Sequence, residues 1–362
     1  MRVVADKKIP GLSELLADEF DVCFLPLEEI NSQTLKEADI LICRSVLPVN
    51  QNLLEGTRVS IVATATSGID HIDVQYLEKK GISLFSAPGS NAQAVADYML
   101  WILAYLEKNR LLSGKNAGII GVGHVGEKVK HLLETLGFNV LLNDPPKALS
   151  HEYFSSVNLN EIAKQDLICV HAALSLEPCS SYHLLSDDWF KQVNKNAVLI
   201  NAARGAIIDT PALLSRNGPL KYALDVFEHE PHIDEKLIEN AFISTPHIAG
   251  HTIESFYRAS KMIVDSIKNH LGMSASCETH SHKLDSELTV DARTCAHWYD
   301  VVLHLYDFMP KVKLAPNNFY LIRESHRYRH DFSSITIQVG SNLPKTESIL
   351  LKQLGLNLTE IF

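Results

Sequence analysis

Three polar side chains stand at the ends of apolar runs in the second half of the chain. Arg204 lies in Ile200-Asn201-Ala202-Ala203-Arg204-Gly205, Glu230 in Asp225-Val226-Phe227-Glu228-His229-Glu230-Pro231, and His247 in Thr245-Pro246-His247-Ile248-Ala249-Gly250. Taken singly, a strand-end Arg or Glu is usually a solvated charge and a lone His is usually structural. Together they match what oxidation of a 2-hydroxy acid requires. Arg204 offers a guanidinium fork that can grip a carboxylate, His247 can take the hydroxyl proton, and Glu230 can orient the ring and favour the imidazolium. A hydride acceptor has to complete the set. Glu228, His229, Glu230 and His232 lack a regular ligand spacing and are interrupted by Pro231, so no metal is expected.

The seat for that acceptor lies upstream. Asn116-Ala117-Gly118-Ile119-Ile120 reads as a strand, Gly121-Val122-Gly123-His124-Val125-Gly126 as a glycine loop, and Glu127 to Leu136 as a helix. A dinucleotide pyrophosphate needs this context: Gly121 permits a tight turn, Gly123 lets the backbone approach the phosphates, and Gly126 lets helix and strand pack closely. The helix N-terminus adds unpaired N–H groups. The following strand ends in Asn143-Asp144-Pro145-Pro146. Asp144 can accept hydrogen bonds from an adenosine ribose and would repel the extra phosphate of NADP, so NAD is the expected cofactor. The same residue could instead cap a turn before the prolines, and both roles are compatible.

The elements that must position these groups form a repeating pattern. Val3 to Ala5, Val22 to Leu25, Ile40 to Cys43, Val59 to Ala63 and Ile82 to Phe85 read as short strands separated by helical stretches, a parallel βαβ rhythm. An apolar helix from Ala94 to Leu106 leads to a second series of strands: Asn116 to Ile120, Asn139 to Asn143, Leu167 to His171, Ala197 to Asn201, Tyr222 to Val226 and Phe242 to Thr245. A helical pattern runs from Ile253 to Leu271, a polar linker from Gly272 to Asp285, and the remainder carries a helix around Ala292 to Phe308, a basic patch from Arg323 to His330 and a strand from Ser334 to Val339. The reading is an α/β chain with two Rossmann-like, doubly wound parallel-sheet domains and a small C-terminal α+β domain. The expected boundaries are 1–92 with 254–279, 93–253, and 280–362, with a cleft between the first two.

Strand ends in the first domain supply further candidates. Arg44 and Ser45 follow one strand and Thr66 another, so their side chains and loop N–H groups could bind the substrate's hydroxyls and charge. The 362 residues carry a formal charge of −10, and no long Lys/Arg cluster is present, so nucleic acid is not expected as a partner. The six cysteines form no C-x-x-C pair, and the chain has neither a signal-peptide pattern nor an apolar run of membrane-spanning length. A cytoplasmic location with reduced thiols is expected, with no membrane contact.

The glycine loop followed in order by N-x-x-R-G, D-V-F-E-x-E-P and T-P-H-I-A-G resembles the D-isomer-specific 2-hydroxyacid dehydrogenases. Arg44-Ser45-Val46, the Ala63 to Asp73 string, the Asn91 to Tyr98 stretch and Asp144-Pro145-Pro146 resemble, within that family, the erythronate-4-phosphate dehydrogenases. The resemblance implies Arg204, Glu230 and His247 as the catalytic set. It also implies Ser45, Thr66, Arg44 and His251 at the substrate. At NAD it implies the loop Gly121, Gly123, His124, Val125 and Gly126, together with Asp144, Ala172, Ala202, Ala203, Asp225 and Gly250. It implies oxidation of a small phosphorylated 2-hydroxy acid, 4-phospho-D-erythronate, for pyridoxal phosphate synthesis, and a homodimer formed through the C-terminal domain. Ala172-Ala173 stand where the family usually has Thr-Pro, His251 where a Tyr is usual, and Phe227 where a Trp is common. Arg44, Lys7, Arg327 and Arg329 are the candidates for the substrate phosphate, the last two across a dimer interface. A 3-phosphoglycerate dehydrogenase shares the core motifs. An NADH-sensing corepressor, a binding module with the same fold, would end in a disordered tail rather than in the helix and strand periodicity seen here.

Overall fold

The computed structural model describes residues 1–16, 19–176, 180–216, 218, 220–274, 288–309 and 312–361. They form two compact units, one of Met1–Asn91 with Ile253–Ser286 and one of Ala92–Thr252 with Glu287–Phe362.

In the first unit, β1 (Arg2–Asp6), β2 (Asp21–Leu25), β3 (Ile40–Cys43), β4 (Ile61–Thr64) and β5 (Ser83–Phe85) form one parallel sheet in the order β2-β1-β3-β4-β5. β3 and β4 are buried along their whole length, which is why they read as unbroken apolar runs. One face packs Val3, Ile40, Ile42 and Ile61 against Ala259, Ile263, Val264 and Ile267 of the helix Ile253–His270. The other packs Val4, Leu41 and Val62 against Tyr76 and Leu77. The stretches between strands are less helical than expected: Leu12–Leu15 and Gln51–Leu54 are single turns, and only Val74–Lys80 is longer. Strand order reverses between β1 and β3, so their carboxyl ends flank a crevice, the usual place for a ligand in such a sheet.

The second unit repeats this logic with β6 (Asn116–Ile120), β7 (Asn139–Asn143), β8 (Leu167–Val170), β9 (Val198–Asn201), β10 (Lys221–Leu224) and β11 (Ile243–Ser244), ordered β11-β10-β9-β8-β6-β7 and all parallel. Its reversal falls between β6 and β8, where the glycine loop leaves β6. The helix Ala92–Lys108 is apolar nearly all round because it is covered on several sides. Tyr98, Trp101 and Ile102 share a core with Ile119, Cys169 and Ile200 of the sheet and with Val301, Val302 and Phe308 from the C-terminal residues. Those C-terminal residues carry a second, parallel sheet of β12 (Thr289–Asp291), β13 (Thr336–Val339) and β14 (Asn357–Glu360), flanked by helices Trp298–Leu305, Phe319–Ser325 and Lys345–Gln353.

The helix expected from Ala292 to Phe308 starts only at Trp298. Ala292 N–H instead donates to Gln338 O, and Cys295 N–H to Ala292 O, so the segment first continues the sheet edge and then turns. Most of the expected linker, from 275 to 285, lies outside the described residues, as do Cys179 and Cys277. The remaining four cysteines that can be described, Cys23, Cys43, Cys169 and Cys295, are free thiols. Among the described residues no helix is long and apolar enough to cross a membrane.

Candidate active site

The glycine loop distinguishes what the fold needs from what a ligand needs. A Cβ on Gly121 would lie 2.3 Å from the Ala172 backbone, and one on Gly126 would lie 2.2 Å from Gly121 O. Both glycines are demanded by close backbone packing. A Cβ on Gly123 would meet no heavy atom within 4 Å, so nothing inside the protein requires glycine there. It is the position where a pyrophosphate would approach the backbone, directly ahead of the helix His124–Thr135. At the end of β7, Asp144 accepts from Val122 N–H through Oδ2 (2.8 Å) and from Lys147 N–H through Oδ1 (3.0 Å). The cap anticipated before Pro145-Pro146 is therefore present, and it also fixes the loop. Lys147 Nζ donates to Val122 O at 2.8 Å, a second tie that sequence inspection missed. His171, at the end of β8, has both ring nitrogens buried without a hydrogen-bond partner among the described residues, and burial holds its pKa down at about 3. The unobstructed approach to Gly123 and the unpartnered ring of His171 fit a dinucleotide.

Arg204, Glu230 and His247 follow β9, β10 and β11, on the same carboxyl side of the sheet. The buried side chain of Asn201 shapes the first turn, donating to Arg204 O (2.9 Å) and accepting from Ala203 N–H (3.0 Å). A Cβ on Gly205 would overlap the Phe227–Glu228 peptide, so this glycine lets the arginine turn lie directly on the loop that carries Glu230. Glu230 Oε1 accepts from Phe227 N–H at 2.8 Å, and Oε2 lies 2.9 Å from His247 Nδ1. Burial pushes the Glu230 carboxyl up, but His247, the Phe227 N–H and Arg323 outweigh it and hold it below the usual range. His247 has φ 56°, a left-handed conformation uncommon for a side-chain-bearing residue. The strain is held by its own N–H, which donates to Asp225 O (2.6 Å) and Thr245 O (3.0 Å).

Asp225, expected beside the cofactor, is 1% exposed. Oδ1 accepts from Thr245 Oγ1 (2.7 Å) and Ile248 N–H (2.8 Å), and Oδ2 from Ala249 N–H (2.9 Å). Because the Thr245 hydroxyl gives its hydrogen to Asp225, Tyr98 must donate to Thr245, 2.7 Å away. This chain of bonds anchors the loop of His247 to the helix Ala92–Lys108.

The first unit carries its own polar groups at strand ends. Asp6, fully buried at the end of β1, receives Arg44 Nε at 2.7 Å and Lys8 N–H at 2.9 Å. Arg44 is thus held at the reversal point of that sheet, and Ser45 is exposed beside it. Thr66 donates to Gly68 O (2.7 Å), so Thr64 donates to Thr66 (2.8 Å) and in turn accepts from His71 Nε2 (3.1 Å).

Known proteins resemble this chain over most of its length. Residues 100–249 match the family described as D-isomer specific 2-hydroxyacid dehydrogenase, NAD binding domain. The erythronate-4-phosphate dehydrogenase of Legionella pneumophila (strain Lens) is 37% identical over 341 residues, spanning 92% of this chain and 96% of that one. The protein of the same name from Coxiella burnetii (strain RSA 493 / Nine Mile phase I) is 36% identical over 365 residues, 98% of each chain. The chain belongs to the D-isomer-specific 2-hydroxyacid dehydrogenases. Like its family it is an NAD-dependent oxidoreductase. The NAD+-bound 3-phosphoglycerate dehydrogenase of Entamoeba histolytica has the same fold, with a TM-score of 0.64 at 23% identity over 78% of this chain and 99% of that one.

In this 2-hydroxyacid dehydrogenase the histidine loop is also braced by C-terminal residues that its motifs do not include. Arg329, a candidate for the substrate phosphate on sequence grounds, is 3% exposed. It donates to Ala249 O (2.7 Å), His251 O (3.0 Å) and Ala94 O (3.3 Å), with its guanidinium 4.7 Å from the Phe308 ring. That correction follows from solvation: a buried guanidinium needs acceptors, and loop carbonyls supply them. Asp331 accepts from Thr252 Oγ1 (2.7 Å), and Asp97 accepts from Phe332 N–H (2.8 Å).

Proposed function

We propose that the chain oxidises 4-phospho-D-erythronate at C2 to 2-oxo-3-hydroxy-4-phosphobutanoate, a step of pyridoxal phosphate synthesis. The chemistry rests above all on the 2.9 Å contact of His247 Nδ1 with Glu230 Oε2. The choice of acid is supported by relatives of that printed activity aligned over more than nine tenths of both chains.

Arg204 grips the substrate carboxylate, and its guanidinium fork fixes the orientation of C2. Glu230 accepts the Nδ1 proton of His247, which leaves Nε2 as the atom that takes the hydroxyl proton. As the imidazolium forms, the Glu230 carboxylate stabilises it. NAD, when bound, would supply the hydride acceptor for C2. The glycine loop Gly121, Gly123, His124, Val125 and Gly126 would hold its pyrophosphate, Asp144 its ribose, and Ala172, Ala202, Ala203, Asp225 and Gly250 would supply the remaining contacts. Ser45, Thr66, Arg44 and His251 bind the acid.

The active form proposed is a homodimer formed through the C-terminal residues. Tyr320, Leu321 and Tyr328 are 55%, 76% and 81% exposed, an apolar surface that a second copy would cover. The buried free thiols of Cys43 and Cys169 suit a cytoplasmic enzyme. The substrate is tested by comparing kcat/KM for 4-phospho-D-erythronate, 3-phosphoglycerate and D-lactate with NAD. Preference for the first by at least a hundredfold is expected, and faster turnover of either other acid contradicts the assignment.

A further inference from the structure

Recognition of an anion has to be local in a chain of formal charge −10. The helix Phe319–Ser325 brings a cation to one particular place. Phe319 and Ile322 pack into the core that includes Leu199 and Phe227, while Tyr320 and Leu321 face outward. Helical spacing puts Arg323 on the inward side, four residues after Phe319. Its Nη2 lies 3.5 Å from Nε2 of His251, in the same loop as His247. A guanidinium has only donors, so Nε2 of His251 is the acceptor and the imidazole is neutral. Burial keeps it so, reinforced by Arg323, His247, Arg329 and Arg327, which together hold its pKa well below the usual value.

The surrounding cations have separate jobs. Arg329 is committed to loop carbonyls. Arg327 has a side chain 20% exposed and donates through Nη1 to Glu324 at 2.7 Å. Arg323 lies against His251, four residues after His247, and its charge helps to hold the Glu230 carboxyl down. Each guanidinium carries five donors, so one contact does not exhaust it.

We propose that Arg323, with the neutral His251, forms an anion subsite next to His247 that receives the phosphate end of the hydroxy-acid substrate. The proposal rests on the substrate reading given above. It assigns phosphate recognition to the C-terminal residues of the same chain. It also accounts for His251: a neutral ring accepts from Arg323 and aims that fork, where a charged ring would repel it. A guanidinium fork matches the oxygens of a phosphate dianion and offsets its repulsion by Glu230.

The test compares 4-phospho-D-erythronate with unphosphorylated D-erythronate in wild type, Arg323→Met and Arg323→Lys, with Arg293→Met as control. Arg293 is an exposed cation that pairs with Asp291. Arg323→Met is expected to lower kcat/KM for the phosphorylated acid at least tenfold more than for the unphosphorylated one, mostly through KM. Arg323→Lys should recover part of the loss, and Arg293→Met should change neither. Competitive inhibition by inorganic phosphate should weaken in parallel. Equal losses on both acids overturn the proposal, as does phosphate inhibition indifferent to Arg323. If wild type prefers another hydroxy acid, the substrate reading fails alone, and phosphate inhibition of that reaction, weakened or not by Arg323→Met, decides the subsite.

Discussion

At His247 the backbone adopts φ 56°, a conformation that costs free energy on the order of 1–3 kcal/mol and persists only where surroundings over-determine it. Here Asp225 does so through the N–H groups of Ile248 and Ala249 and through Thr245. Removing the imidazole should therefore affect chemistry more than folding. His247→Ala is expected to lower kcat by roughly 10²–10⁴-fold, the usual range for a general base, with an unchanged circular dichroism spectrum. Asp225→Asn leaves His247 in place but swaps an acceptor oxygen for a donor facing loop N–H groups. It should reduce both kcat and melting temperature, and loss of kcat alone would argue that Asp225 does not anchor the loop.

The glycine loop allows a sharper test among elements, because its glycines differ in what they face. Gly126→Ala puts a methyl 2.2 Å from Gly121 O and should destabilise the unit even without cofactor. Gly123→Ala meets nothing, so the protein should melt normally yet bind NAD at least tenfold more weakly by calorimetry. Equal melting temperatures for the two variants would refute this division. Such elements were legible in the sequence because their information is local: strand, loop and helix adjoin, and the motifs of Arg204, Glu230 and His247 each terminate a strand. Arg323, Arg329 and Asp97 were not legible in this way. The partners of Arg329 include Ala94, and those of Asp97 include Phe332, contacts across most of the chain that leave no periodic trace. The run from Arg323 to His330 read only as a basic patch because charge alone does not reveal which members are buried. The late start of the helix at Trp298 was missed for a related reason, since Ala292 bonds to Gln338 in a distant strand.

For the molecule as a whole, the burial of Asp97 makes stability depend on pH. Burial pushes the Asp97 carboxyl up to about 7 from 3.8, only partly opposed by the Phe332 N–H. Between those values the folded state retains a proton that the unfolded chain has released, so stability from this group falls as pH rises and levels off above about 7. Asp97→Asn should flatten the melting-temperature profile across that window, and an unchanged slope would contradict the assignment. The proposed dimer makes a separate prediction: Leu321→Asp with Tyr328→Asp should shift the protein toward monomer in sedimentation, whereas an unchanged mass would locate the interface elsewhere. The most direct test of the central claim is absorbance in the NADH band after mixing purified protein with NAD and 4-phospho-D-erythronate, beside His247→Ala. The account predicts steady NADH formation by the wild type and its near loss in the variant. No NADH from the wild type, or equal rates from both, would contradict it.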